Sequence, residues 1–367
     1  MKGQWIGRIK GESEGQIILN IDDLGTKYGG VAFVLPDNKK MPATAGFFET
    51  QNKKPETNFT AFTMPINPRT GLPSVWDDIK ALYPPDVFHS KEANVFVNFS
   101  ENELYLKAKT DLGTEVESSI VKKPFTDSSD ITGDIKSWEE YKRFVSTLSG
   151  RKNLFRGQRR PWKLRTSFHR KGRYNLDRFL NEDMPRLHRH LSARISHVFN
   201  LEIPNENGAF LNLVQHHGYP TPLLDWTYSP YVAAFFAFRG VPKKIHSDNF
   251  VRIYIFDEEN WKAHWQQSRM LNTVGLHVSI MEFLAIENQR LVPQQSVTTV
   301  TNIDDIELYV KQRETEKDCL YLTAIDIPVN ERNKVMQELS FMGITAGSMF
   351  PGIEGACEEL KERMFDE

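Results

Sequence analysis

The apolar residues of this chain change their spacing near residue 130, and that change limits the fold more than any single motif. Before it, apolar and polar residues alternate in short runs; beyond it, many apolar residues recur at helical spacing between short extended runs. A period of two places successive side chains on opposite faces of a strand, whereas a period near 3.6 gathers them on one stripe of a helix. One uniform architecture cannot satisfy both. A length of 367 residues also fits roughly two domains.

Alternating runs occupy Gly15–Asn20, Gly30–Leu35, Thr57–Met64, Ala93–Phe99 and Glu103–Lys109. They are separated by the turn signals Asp22-Asp23-Leu24-Gly25, Pro36-Asp37-Asn38, Asn67-Pro68 and Asp111-Leu112-Gly113. Residues 1–123 are therefore expected to form an all-β sandwich or barrel. No catalytic constellation stands out there, so a recognition or regulatory role is expected, with a partner as its ligand. The polar, turn-rich stretch Pro124–Gly133 places a linker at 124–136.

Residues 137–367 are expected to form a second, α+β domain. Ser137 suits the cap of a helix carrying Trp138, Tyr141, Phe144, Val145 and Leu148, and Asn153–Gly157 reads as a strand. Helices are expected over Leu176–Phe199 and Gly208–His216. Ser229, Pro230 and Gly240 frame another at Tyr231–Phe238. Strands then recur at Phe250–Phe256, Leu276–Phe283, Ser296–Asn302 and Cys319–Ile327. Helices recur at Asp304–Arg313, Asn330–Phe341 and Gly352–Met364.

Charge sharpens the functional reading by its distribution. The net charge is −2, which argues against a protein that simply coats nucleic acid. Residues 151–173, however, hold ten Lys and Arg and no acid, with Trp162 and Phe168 interleaved. Such a stretch can form a phosphate-binding surface or a solvated basic edge. Arg156, between Phe155 and Gly157, is expected to project from a strand into a cleft. The alternative for it is a buried Arg–carboxylate pair. Two cysteines, Cys319 and Cys357, cannot build a disulfide framework or a four-cysteine zinc site, and no metal is expected. The N-terminus has no apolar signal region and no run approaches 18 apolar residues, so a soluble, cytoplasmic protein is expected.

The second notable segment runs from Gln215-His216-His217-Gly218 to Asp225-Trp226-Thr227-Tyr228-Ser229-Pro230. A histidine there could serve as acid, base or phosphate partner, or simply hold the loop. Asp225, between Leu224 and Trp226, must find a partner if half-buried. Thr227 and Ser229 bring hydroxyls to a helix start, where free amides favour an anion.

Taken together, Phe155-Arg156-Gly157-Gln158, Gln215-His216-His217-Gly218, Thr221–Pro230 with its following helix, and the C-terminal Gly343-Ile344-Thr345 and Met349–Gly355 resemble the FRG domain, over roughly residues 137–362. The chain departs from that pattern at Pro222, where the family usually carries Arg. The motif order is also similar to the ADP-ribosyltransferase fold of the Arg–Ser–Glu type, which implies NAD as substrate.

By that resemblance Arg156, Thr227, Ser229, Glu287 and Gln289 would be catalytic. Arg156, Gly157, Gln158, His217, Asp225 and Gln295 would hold the nucleotide. Gln289 stands where the second acid of a Glu-x-Glu element would be, with Glu282 or Glu287 as substitutes. The implied activity is ADP-ribosyl transfer to a macromolecular acceptor or NAD hydrolysis, in bacterial phage defence or as a toxin. Two alternatives remain: a nucleotide-sensing module without turnover, and a nucleic-acid binder or nuclease using His216 or His217 with Asp225.

Overall fold

A computed structural model describes residues 1–242 and 249–365. The N-terminal unit is a closed eight-stranded barrel, so the sandwich alternative falls away. Its strands are β1 (Gly3–Gly11), β2 (Gly15–Asp23), β3 (Tyr28–Pro36), β4 (Thr44–Glu49), β5 (Glu56–Pro65), β6 (Glu92–Phe99), β7 (Glu103–Thr110) and β8 (Glu115–Val121). Each pairs antiparallel with the next, and β8 returns to β1 at Lys10↔Glu117 and Gly11↔Val116. Closure leaves no strand edge exposed.

The five alternating runs appear as β2, β3, β5, β6 and β7. The remaining three carry weak signals. β1 is broken by Gly3, Gly7 and Gly11, β4 is six residues long, and β8 turns Ser118 inward, where its hydroxyl donates to the Arg8 carbonyl at 2.7 Å.

The second unit is built on a seven-stranded sheet. Its strands are β9 (Asp134–Ile135), β10 (Asn153–Gln158), β11 (Leu223–Thr227), β12 (Phe250–Asp257), β13 (Val278–Met281), β14 (Ser296–Thr301) and β15 (Leu322–Pro328), ordered β13-β14-β11-β10-β12-β15-β9. All pairings are antiparallel except β15 with β9. One sheet face packs on the helix Pro230–Phe238, and the other buries Trp226, Tyr254, Phe256 and Trp261.

Local chemistry explains the helix starts. Ser137 and Glu140 form a capping box at the helix Trp138–Thr147, and Ser229 caps Pro230–Phe238. The long helix expected over Leu176–Phe199 instead runs only to Leu191, with one widened turn at Phe179–Asp183. Pro185 has no amide proton to donate, and the turn before it widens so that Met184 N bonds to Phe179 O.

The stretch expected as a linker lies along the second unit. Ser129 Oγ and Asp130 N both donate to the buried Glu307 carboxylate, at 2.9 and 3.1 Å, and β9 adds to the sheet edge. The two units also touch directly. Ile18, Val31, Phe33 and Ala45 on the barrel's outer wall pack with Val274 and Leu276. Asp22, wholly buried, accepts from Tyr174 N at 2.6 Å, Asn175 N at 3.2 Å and Arg173 Nε at 2.7 Å.

Candidate functional site

β10 and β11 pair only at Phe155↔Thr227 and then diverge. β10 continues along β12 as far as Gln158, and β11 follows β14 back to Leu223. Strand alternation places Arg156 on the face of its β12 partner Tyr254, and Phe155 and Thr227 on the opposite face. Arg156 therefore enters the opening between the strands. Its Nη1 donates to the Asp225 carbonyl at 2.6 Å, and its Nε is buried without a partner.

Arg156 is half-buried as a residue, and among the described residues no carboxylate is hydrogen-bonded to its guanidinium. Burial pushes its pKa down to about 10; Arg170 pushes the same way, and Asp225 and Tyr254 oppose it. Loss of hydration disfavours the charged form, and one carbonyl dipole restores only part of what water supplied.

The Asp225 side chain joins a polar network. It accepts from Gln215 Nε2 at 2.5 Å, and the Thr221 hydroxyl donates to Gln215 Oε1. One residue on, His216 Nδ1 lies 2.5 Å from Asn288 Nδ2, which also donates to Asn212 Oδ1 at 2.7 Å. Arg290 Nη1 donates to the His216 carbonyl at 2.9 Å. Burial, then Arg290 and His217, lower the His216 pKa, while Asp225 raises it, so the ring is held toward its neutral form.

Several residues expected at the site are committed elsewhere. The Thr227 hydroxyl donates to the Gln294 carbonyl at 2.7 Å and accepts from Ser229 N at 3.0 Å, on the face away from Arg156. Ser229 Oγ accepts from Val232 N at 3.2 Å as the helix cap. A Cβ at Gly157 would strike the Ala233 carbonyl, so this glycine admits a helix rather than a ligand. Gln158 Nε2 donates to the Trp162 carbonyl at 3.3 Å and holds the intervening loop.

Glu287, at φ 56°, accepts from Ser196 N and His197 N, each at 2.9 Å. Gln289 and His217 are exposed. Gln295, at φ 46°, is tied through its backbone to Tyr228. Glu282 meets the Tyr228 hydroxyl at 2.8 Å, which also contacts Glu258 at 3.2 Å. The Arg156 guanidinium thus reaches the Asp225 main-chain carbonyl, while the Asp225 carboxylate turns to Gln215; among the described residues no hydrogen bond or ion pair joins Thr227, Ser229, Glu287 or Gln289 to Arg156.

The basic stretch divides in the same way. Lys163 pairs with Asp130 and Asp305, Arg165 with Asp304, Arg173 with Asp22 and Asp183, and Lys152 with Glu259. Phe168 is 2% exposed and offers no stacking surface, while Trp162 is 40% exposed. The stretch is therefore not a continuous basic stripe. The residues not anticipated are Gln215, Asn212, Asn288 and Arg290. A signal existed for one: Asn212 interrupts the apolar run Ala209-Phe210-Leu211-Asn212-Leu213-Val214.

Among the described residues, no group of three or more His, Cys, Asp or Glu is placed to hold a metal ion, and no helix is long and apolar enough to cross a membrane. Residues 151–245 match the FRG domain family. That span carries Arg156, Gln215, His216 and Asp225, so the opening between β10 and β11 belongs to the part the family defines. No curated protein and no solved structure matches the chain.

Proposed function

We propose that the FRG-containing unit binds a dinucleotide of the NAD class, with its phosphates at the opening between β10 and β11. The reaction we assign to it is cleavage of the nicotinamide–ribose bond, with ADP-ribose passing to water or to an acceptor. One observation carries the binding reading: Arg156 is half-buried, and among the described residues its Nε has no partner and its side chain's one hydrogen bond goes to a carbonyl. A phosphate would supply the missing charge and accept from the free donor, since guanidinium matches phosphate in a two-point fork. We assign to the Asp225 carboxylate, held by Gln215 on the Thr227 side of the sheet and still near enough to raise the Arg156 pKa, the offset of positive charge developing at the anomeric carbon.

Incubation of the purified protein with radiolabelled NAD tests this. Nicotinamide release, or label transferred to a protein or nucleic-acid acceptor, is expected from the wild type and should be lost in Arg156→Ala. Wild-type protein that neither binds nor consumes NAD would end the proposal. A second reading, binding without turnover, is favoured by the internal commitment of the Thr227 and Ser229 hydroxyls and of Glu287. It expects NAD to raise the melting temperature with no product formed.

A further inference from the structure

The barrel encloses a cavity of ≈ 100 Å³ walled only by apolar surface. An eight-stranded barrel is just wide enough to be filled by side chains or to hold one small ligand. Which of these applies depends on the inward residues, and here they differ from end to end. At one end Met1, Phe48, Phe59 and Leu104 supply bulk. Towards the other, Ala32, Gly46, Ala61, Ala93 and Ala108 occupy five successive strands, β3 to β7.

Registration brings these small residues together. Ala32 faces Gly46, Ala61 faces Ala93, and Val95 faces Ala108. A Cβ on Gly46 would lie 3.7 Å from Ala61 Cβ and 3.9 Å from Ala32 Cβ, in ordinary contact with free space beyond. The void therefore follows from contiguous small residues rather than from a single misfit.

The two hydroxyls on the wall do not make it polar. Thr44 Oγ1 lies 3.3 Å from His89 Nε2, and Thr63 Oγ1 donates to the Ser90 carbonyl at 2.5 Å. Both partners belong to the connection from β5 to β6, where Trp76 stacks on His89 at 5.9 Å. A water molecule needs two to four polar partners, and this wall offers none, so the space is dry.

We infer that the barrel interior is a binding site for one small uncharged apolar molecule, of the size of a single aromatic ring. An apolar cavity of about 150 Å³ accommodates benzene in another protein, so the ≈ 100 Å³ here makes a single small ring the upper limit of size. Charged or strongly polar ligands are excluded, because no wall atom would replace their hydration. The barrel alone carries this site, and it stands or falls independently of nucleotide binding at Arg156.

Toluene is the probe, used with the full chain. Saturation-transfer NMR should show toluene bound to the wild type, and toluene should raise the melting temperature. Gly46→Val and Ala61→Leu, on neighbouring strands, fill the space from different sides. Each should weaken toluene binding at least tenfold at an unchanged or higher melting temperature without ligand. Benzoate, equal in ring size but charged, should bind at least tenfold more weakly than toluene to the wild type. That comparison needs no variant and covers the case in which a substitution impairs folding. Absence of toluene binding to the wild type, equal binding to both folded variants, or benzoate binding as well as toluene would each overturn the assignment.

Discussion

Arg173 and Arg156 come from one basic stretch and finish in opposite conditions. At the contact between the units, Arg173 donates through Nε to Asp22 and through Nη2 to Asp183, while Asp22 also takes two backbone amides. Every charge there has an opposite charge in reach. In the opening between β10 and β11, Arg156 has one carbonyl acceptor and an unpartnered Nε. A fully matched arginine is a structural tie. An arginine with capacity to spare can still take an anion, and that contrast is the basis of the binding site proposed at Arg156.

Any test of this contrast must first be separated from acid effects. Burial lowers the pKa of His169 to about 3 and of His277 to about 4. Both stay neutral in the folded state while the unfolded chain takes up protons below its ordinary value near 6.5. Stability is therefore fully present above pH 6.5 and falls as the pH drops toward 4. These two rings should contribute a loss of roughly 3–5 kcal/mol in urea unfolding between pH 6.5 and 4.5, the uptake of about two protons, and His89, lowered by burial to about 4, acts in the same direction. The variants below belong at pH 7.5.

Asp22→Ala removes the acceptor at the matched site and leaves Arg173 and two amides short of a partner. A loss of about 3 kcal/mol is expected in urea unfolding. A loss under about 1 kcal/mol would mean the contact between the units is not held there. Arg156→Ala should behave inversely: stability within about 1 kcal/mol of wild type, but NAD affinity by calorimetry reduced at least about tenfold, the worth of a charge-assisted hydrogen bond. If Arg156→Ala instead unfolds the protein and spares NAD binding, the two arginines are alike and the contrast collapses.

Thr227→Val is the smallest change. It removes the hydrogen bonds to Gln294 and Ser229 and should cost about 1–2 kcal/mol of stability. Any NAD turnover measured below the melting temperature should persist, because the hydroxyl is committed to the Gln294 carbonyl and the Ser229 amide. Abolished turnover in a folded Thr227→Val protein would return Thr227 to the reacting group.

Much of the architecture was legible because local chemistry and tertiary packing agree. Ser137 and Ser229 cap the helices they precede, and the alternation in β2, β3 and β7 is that of a barrel wall. Where one local rule conflicted with another, the reading failed: Pro185 widens the turn before it, and the helix that the apolar spacing extended to Phe199 stops at Leu191. The site was only half legible. Arg156 and Asp225 are near one another, as their motifs implied, but the fate of each charge in residues 151–173 depends on acids such as Asp22, Asp304 and Asp305, distant in the chain. Phe155 and Gly157 set Arg156 apart locally, but nothing local shows that Arg173 would be tied to Asp22 and Asp183. Nor could sequence spacing show that Thr227 and Arg156 face opposite ways, which follows from their pairing across one bridge.

β2 has one further consequence, concerning which changes of length this chain can survive. Ile17, Leu19 and Ile21 look into the barrel, while Ile18, Asn20 and Asp22 look out, toward Val274, Gln4 and Tyr174 respectively. Deleting one residue inside 15–23 would exchange the two sets, placing a carboxylate in the dry interior and removing the acceptor that Arg173, Tyr174 and Asn175 share. A scan of single-residue insertions and deletions should accordingly find this strand among the least permissive segments, and the exposed turn at 37–41 among the most permissive. Length, at this strand, is inherited as strictly as residue identity.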